Sequence, residues 1–370
     1  MMKKLGFGTM RLPLLDAQNV KSIDQEQVNA MADLFLSKGF TYVDTAYPYH
    51  EGASEVACRK AFVERYDRSK FLLADKMPSF LIQSTEDYER FFAEQLERCG
   101  VSYFDYYLLH NLGTEYYARN EQFGGFEYMK KLKAEGKAKR IGFSFHDRPE
   151  LLDEILTAHP EMEFVQLQIN YADWENENVQ ARRCYEVACK HGKGVIVMEP
   201  IKGGGLAKLP AEAEALLRGV RPDASPASWA IRYAASLPES ITVLSGMSDL
   251  AQMEDNLSYM EDFHPLSDEE RSVLEQATEI IHRSIAVPCT ACRYCVEGCP
   301  QHINIPAYFA AYNNLKQYGG LNFPAMYYNR SSVGYGKASA CIACGQCEEI
   351  CPQHLPIIEE LKHVKEAFEN

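Results

Sequence analysis

Eight short apolar runs, with room for an amphipathic stretch between neighbours, constrain most of this chain more tightly than any other feature. They are "LGFGTMRLP" from residue 5, "FTYVDTA" from 40, "KFLLADK" from 70 and "FDYYLLH" from 104. "RIGFSF" from 140, "FVQLQIN" from 164, "GVIVMEP" from 194 and "ITVLSGM" from 241 complete the series. The intervals carry helical patterns such as "TEDYERFFAEQLERCG" and "NVQARRCYEVACKHG", the second closing on the His-Gly expected of a helix C-terminus. Apolar strands joined by helices predict a parallel sheet covered on both faces. Eight such units predict an α/β chain whose sheet closes as a (β/α)8 TIM barrel. An open doubly wound sheet is the competing architecture, but no G-x-G-x-x-G follows the first strand.

A closed barrel of this kind carries its chemistry at the C-terminal ends of the strands. Strand two ends in Asp44, with Tyr49 in the following loop; strand three ends in Lys76, strand four in His110 and strand five in Ser144, while strand six carries Gln166. Taken singly each is bland: Lys76 beside Asp75 reads as a solvated strand end, and Tyr49 in "AYPYHEG" as a loop aromatic. Together an acid, a phenol, an amine and an imidazole converge on one mouth. A phenol with an ordinary pKa of about 10 exchanges protons poorly at neutral pH. An adjacent ammonium lowers that value, a carboxylate holds the ammonium, and an imidazole polarises a carbonyl oxygen. Such a set protonates a carbonyl oxygen as hydride reaches its carbon, and the hydride must come from a bound cofactor.

"VDTAYPYHEGASE", "LLADKMP", "DYYLLH", "IGFSFHD" and "QLQINY", in that order, resemble the aldo-keto reductase superfamily over about residues 5 to 265. The resemblance implies that Tyr49 is the acid/base, tuned by Lys76, with Asp44 pairing Lys76 and His110 positioning the substrate oxygen. It implies NAD(P)(H) as cofactor, with Gly8, Thr9 and Met10 at the first strand end among its contacts. Ser144 and Gln166 hold the nicotinamide carboxamide, with Tyr171 stacking. Ile201, Gly203 and Gly204 present backbone N–H groups to the pyrophosphate, since glycine lets backbone approach closely. By the same resemblance, Gly246, Met247, Ser248, Gln252 and Asn256 are expected to meet the adenosine end. In many relatives Asn directly follows the strand-five Ser; here Phe145 and His146 follow. Gly246 and Gln252 stand where NADPH-preferring relatives carry a Lys and an Arg. Lacking those cations, the chain leans toward NAD, with Lys202 as another source of charge. Tyr47, Trp174 and "HNLGTEYYARNEQFGGFEY" are expected to line the substrate mouth.

Behind the barrel the frame C-x2-C-x2-C-x3-C-P occurs twice, as Cys289, Cys292, Cys295, Cys299 and as Cys341, Cys344, Cys347, Cys351. This is the bacterial ferredoxin run, in which three cysteines hold one cubane and the fourth ligates the other. Cys289, Cys292, Cys295 and Cys351 are therefore assigned to one [4Fe-4S] cluster, and Cys341, Cys344, Cys347 and Cys299 to a second. Zinc is the structural alternative, yet its paired C-x2-C halves leave the third cysteine and the Cys-Pro unexplained. "CPQHINIP" and "CPQHLPII" extend the duplication to His302 and His354, read as packing or hydrogen-bonding residues. The long insert between the frames predicts a mostly helical dicluster ferredoxin module. The expected domains are a barrel over 1–265, a joining helix over 266–284 and a two-cluster module over 285–370.

The other four of twelve cysteines, Cys58, Cys99, Cys184 and Cys189, lie in helical patterns and read as small core residues. A formal charge of −14 argues against nucleic acid or an anionic membrane as main partner. No apolar run is long enough to span a bilayer, and "MMKKLGFGTM" lacks an apolar signal region, so a cytoplasmic enzyme is expected.

Nicotinamide passes two electrons as hydride, whereas a cubane passes one at a time, and no flavin motif accompanies them here. Three functions fit: a carbonyl reductase (or alcohol dehydrogenase) whose clusters reach a flavoprotein or ferredoxin-type redox partner; the same enzyme with structural clusters; or an iron–sulfur electron-transfer subunit whose barrel is a docking scaffold. A scaffold needs no tetrad, which weighs against the last.

Overall fold

A computed structural model of the chain describes residues 2–176, 179–289, 293–318, 322–351 and 353–369. Strands β1 (Leu5–Gly8), β2 (Tyr42–Asp44), β3 (Leu72–Met77), β4 (Phe104–Leu112), β5 (Ala138–Phe145), β6 (Phe164–Gln168), β7 (Gly194–Met198) and β8 (Ser240–Ser245) form a closed barrel in sequence order. All pairs are parallel, β8 closing on β1. Cross-registered partners such as Gly8 with Asp44 and Ser144 with Gln166 bring the strand ends to a common rim.

The helices between strands follow from their sequence. Glu86–Cys99 buries Tyr88, Phe91, Phe92, Gln95 and Cys99, one helical stripe. Its first turn is acidic, its last carries Arg98, and Gly100 ends it with a left-handed φ of 67°. Inside the barrel, Tyr42, Ala74, Tyr106, Leu108, Phe164, Ile196 and Leu244 make a packed lower core. Those rings leave no room for a side chain at Gly6, where a Cβ would lie 2.8 Å from Leu244 and 3.1 Å from Tyr42. Cys58, Cys99 and Cys184 are buried within helices.

By packing the chain divides into two units, Met1–Ile201 with Ala227–Ser267, and Lys202–Pro226 with Asp268–Asn370. In the second unit the helix Asp268–Arg283 packs on Ala211–Val220, and Glu270 pairs with Arg221. Gln317 on the helix Ile305–Tyr318 donates to Ile281 O (2.8 Å), and Asn313 bonds both N and O of Val287. The same helix contacts the glycine-rich segment Lys202–Ala207. The region carrying the cysteines is mostly helical, as its sequence predicts. Among the described residues no helix is long and apolar enough to cross a membrane.

Candidate functional site

Side chains alternate along a strand, so the residue two steps beyond a barrel-core residue faces the same interior. Asp44 follows Tyr42 in this way, Lys76 follows Ala74, His110 follows Leu108, Gln166 follows Phe164 and Met198 follows Ile196. A polar layer thereby rests on the apolar one. Lys76 is fully buried, and its ammonium donates to Asp44 Oδ1 (2.6 Å), Thr45 O (2.8 Å) and Tyr49 OH (3.4 Å). The three N–H bonds of the ammonium thus have three acceptors. The Tyr49 and His110 rings meet edge to face, 6.2 Å between centroids.

Tyr49 arrives on a tight turn in which both His50 and Glu51 have a φ of 51°. Left-handed backbone disfavours residues with a Cβ, and successive examples need support from their surroundings. His50 provides it: its Nε2 accepts from Leu12 N (3.2 Å), so its Nδ1 donates to Val20 O (2.7 Å). No sequence pattern pointed to His50.

Burial sets the electrostatics. It pushes the Tyr49 hydroxyl above its ordinary pKa of 10.0, outweighing the downward pull of Lys76. The expected acidification of Tyr49 is therefore reversed: at this half-buried position the phenolate loses more solvation than the ammonium returns. Burial also opposes charge on Lys76, but Asp44 and Tyr49 overcome it and raise that pKa. Burial raises Asp44 as well, against the pull of Lys76. Asp75, beside Lys76 in sequence, points into the helix layer. It is no solvated strand end: it is fully buried, and burial and then Glu55 push its pKa well upward. Glu55 pairs with Arg98 at 3.0 Å, and Cys99 Sγ donates to Asp75 (3.7 Å).

The residues expected to hold a nicotinamide nucleotide divide into two groups. Gln166 is 2% exposed, with Oε1 buried and lacking a hydrogen-bond partner and Nε2 3.4 Å from Met198 Sδ. The Ser144 hydroxyl accepts from Asn111 N (2.7 Å), which leaves its proton to donate. An orphaned amide oxygen beside a donating hydroxyl fits a carboxamide. Gly203 and Gly204 have φ of 66° and 98°, and Met10 is exposed. Gly8 lies against Ser245, its absent Cβ 3.4 Å from the carbonyl oxygen. Ile201 packs partly buried on the barrel core.

Others are engaged by the protein itself. Thr9 Oγ1 donates to Asp44 O (2.8 Å) and so braces the end of β2. Met247 is buried in the core. Asn256 is buried, donating to Ser245 Oγ (2.7 Å) and accepting from Tyr259 OH (2.6 Å), so its amide serves the loop rather than facing outward. Gln252 Oε1 accepts from Ser248 N, while its Nε2 donates to Asp249 (2.8 Å). Tyr171 is 5% exposed and edge-on to Tyr233, which commits its ring to packing. Tyr47 turns to Phe91, Glu94 and Arg98, and Trp174 to Tyr185 and Tyr233, so these two join the helix layer. Phe80 instead lies 6.0 Å from the His110 ring. A cation that the sequence did not reveal lies by Gly246: the Arg11 stem is 3.2–3.4 Å from where a Cβ would sit there. Its guanidinium lies 3.8 Å from Glu199.

Among its described residues the second unit forms two cavities lined by cysteines. Cys289, Cys295 and Cys351 line the first; Cys299, Cys341, Cys344 and Cys347 line the second. Cys292 lies outside the described residues. Each cavity thus gathers sulfurs from one frame and the last cysteine of the other. The remaining walls are chiefly Ile, Leu, Phe and Pro, with Ile305 shared by both. Sulfur donors in apolar surroundings fit an iron–sulfur cluster. His302 and His354 occupy matching left-handed positions, φ 49° and 50°, their N–H groups donating to Cys299 O and Cys351 O. Tyr308 and Tyr328 pack together in this unit's core, their ring centroids 4.7 Å apart.

A profile of the Aldo/keto reductase family matches residues 4–279, and one of a 4Fe-4S dicluster domain matches residues 288–355. No curated protein shows significant sequence similarity. Among solved structures, the holo form of an aldo-keto reductase from Bacillus halodurans is 24% identical, with a TM-score of 0.59 over 74% of this chain and 91% of its own. An aldo/keto reductase from Klebsiella pneumoniae, in complex with NADP and acetate, is 20% identical, with a TM-score of 0.60 over 75% and 95%. At such identities these likenesses speak for the fold alone. The family match spans most of the chain, and it falls on the barrel whose rim carries the Asp–Lys–Tyr set: the chain belongs to the aldo/keto reductase family and carries a C-terminal 4Fe-4S dicluster domain.

Proposed function

We propose that this chain is an NAD(P)H-dependent oxidoreductase that reduces an aldehyde or ketone, or oxidises the alcohol, at the barrel mouth, and that its C-terminal domain holds two [4Fe-4S] clusters. The observation that carries the reading is the buried ammonium of Lys76, shared between Asp44 and Tyr49. The Klebsiella pneumoniae relative, solved in complex with NADP, supports the choice of cofactor. When bound, reduced nicotinamide supplies the hydride. Ser144 and Gln166 orient its carboxamide, and Arg11 offers charge to the dinucleotide phosphates beside Gly246.

Tyr49 gives its hydroxyl proton to the carbonyl oxygen as negative charge grows there, and the alcohol O–H forms as the phenol O–H breaks. Lys76, 3.4 Å away, stabilises the resulting phenolate, and Asp44 keeps Lys76 charged and in place. His110 hydrogen-bonds the substrate oxygen, and Phe80 adds an aromatic wall. The Tyr49 phenol carries its proton at neutral pH, as a donor in the reductive direction must.

The functional domains are a barrel over 1–265 and a cluster module over 285–370, joined by residues 266–284. The assigned ligands are Cys289, Cys292, Cys295 and Cys351 for one cluster and Cys341, Cys344, Cys347 and Cys299 for the other. Cys344 is exposed, which suits one-electron exchange with a flavoprotein or ferredoxin-type partner. A second reading has its own support: the helix Ile305–Tyr318, which brings Phe309 to the first cavity, also contacts Lys202–Ala207. Structural clusters would then shape the glycine segment that meets the pyrophosphate.

Tyr49→Phe tests the central assignment. Cofactor binding, followed by fluorescence titration under anaerobic conditions, stays near normal, while carbonyl reduction falls by roughly 10²–10⁴. Full activity in that variant removes Tyr49 from the chemistry.

A further inference from the structure

The two cysteine cavities are built from matching parts, and one residue breaks the match. Phe309, Gln353 and Leu355 of the first have counterparts in Leu361, Gln301 and Ile303 of the second. Among the described residues lining either cavity, the charged side chain is Arg293, in the first. Its counterpart between the second and third cysteines of the other frame is Gly345. Both positions are left-handed, φ 66° for Arg293 and 82° for Gly345. Glycine accepts that conformation freely, whereas arginine does not, so local backbone preference argues against arginine here. The guanidinium is also held: Nη1 lies 3.5 Å from Oδ1 of Asn304, a buried residue whose Nδ2 donates to Ser331 O (3.2 Å). In the second frame the counterpart of Asn304 is Pro356, which has no side-chain acceptor.

We propose that Arg293 is a tuning residue that raises the reduction potential of the first cluster and biases an electron toward that cavity. This rests on the two-cluster reading above. A [4Fe-4S] centre gains one negative charge on reduction, and a permanent cation carried by a residue that lines the cavity stabilises the reduced form more than the oxidised one. Arg293 is exposed, so solvent and salt screen it and the effect is modest.

Arg293→Gly places in the first frame the residue that the second already carries, so the backbone is relieved rather than strained. An EPR-monitored redox titration of the anaerobically purified full chain then reads both clusters. One of the two reduction steps is expected to move down by about tenfold in its equilibrium, 59 mV for one electron, while the other stays. Arg293→Lys restores most of the shift, and raising the ionic strength narrows the gap between wild type and Arg293→Gly. If both clusters are present and neither step moves, or both move equally, the assignment is overturned and the two-cluster reading stands. If the wild-type chain shows no iron–sulfur signal, the cluster reading itself falls, and this one with it.

Discussion

The barrel rim and the cysteine cavities solve the same problem, holding charge away from water, in opposite ways. At the rim the charges belong to side chains, and the strands bring Asp44, Lys76 and Tyr49 into contact without any added ion. A parallel barrel fixes its strand ends through backbone ladders, so the polar layer is organised before a ligand arrives. In the second unit the gathered groups are sulfurs on loops and short helices such as Tyr294–Glu297 and Gln346–Glu349. Thiolates crowded together repel one another, and only a bound metal centre turns that repulsion into cohesion. One site is therefore organised by the fold alone, whereas the other calls for a metal centre to hold its sulfurs together.

Breaking the charge pair tests the first half of this contrast. Asp44→Asn leaves Lys76 buried without its carboxylate and is expected to destabilise the chain by about 3–5 kcal/mol, read by urea unfolding. The double variant Asp44→Asn/Lys76→Met should recover part of that loss. Equal losses in single and double variants would show that the ion pair is not what the rim depends on.

A smaller effect on the whole chain is expected from the cysteines. Anaerobic preparations should carry about eight irons per chain, and Cys347→Ser should remove roughly half of them. Zinc in place of iron would keep the contrast but end the iron–sulfur reading, because a zinc staple carries no electrons. Chelation should lower a thermal transition of the second unit, measured calorimetrically, before that of the barrel.

The smallest effect is in pH. Tyr49 and Lys76 both have folded pKa values above their ordinary 10.0 and 10.5. A raised pKa means that the folded state keeps its proton after the unfolded chain begins to lose it. The stability each group contributes is therefore complete below about pH 10 and lost as the pH climbs further. Reduction should likewise hold its rate from neutral pH to about 10 and fall above it, since the donor is the protonated phenol. A decline beginning near neutrality in a rate profile would mean that another group limits proton transfer.

The spacing of apolar runs was enough to read the barrel, and the cysteine frames were enough to read the dicluster domain, because both depend on local periodicity and short-range ligand geometry. Adjacent residues show where such reading stops. Asp75 and Lys76 look alike as strand-end charges, yet one faces the helices and the other the barrel interior. Tyr47 and Tyr49 share a loop, but Tyr47 joins Phe91 in the helix layer while Tyr49 reaches Lys76. Arg11 and Gly246 are far apart in sequence and adjacent in space, which no local pattern could reveal.

Sequence alone determined the architecture, the polar strand ends and the two matched frames, since each is written in the order and spacing of residue types. Tertiary structure decided the electrostatics: which carboxylate meets Lys76, that burial outweighs Lys76 at the Tyr49 hydroxyl, and that, among the described residues, an arginine lines one of two similar cavities. Those depend on distance and on the exclusion of water, and both are set only once the strands have closed and the frames have folded together.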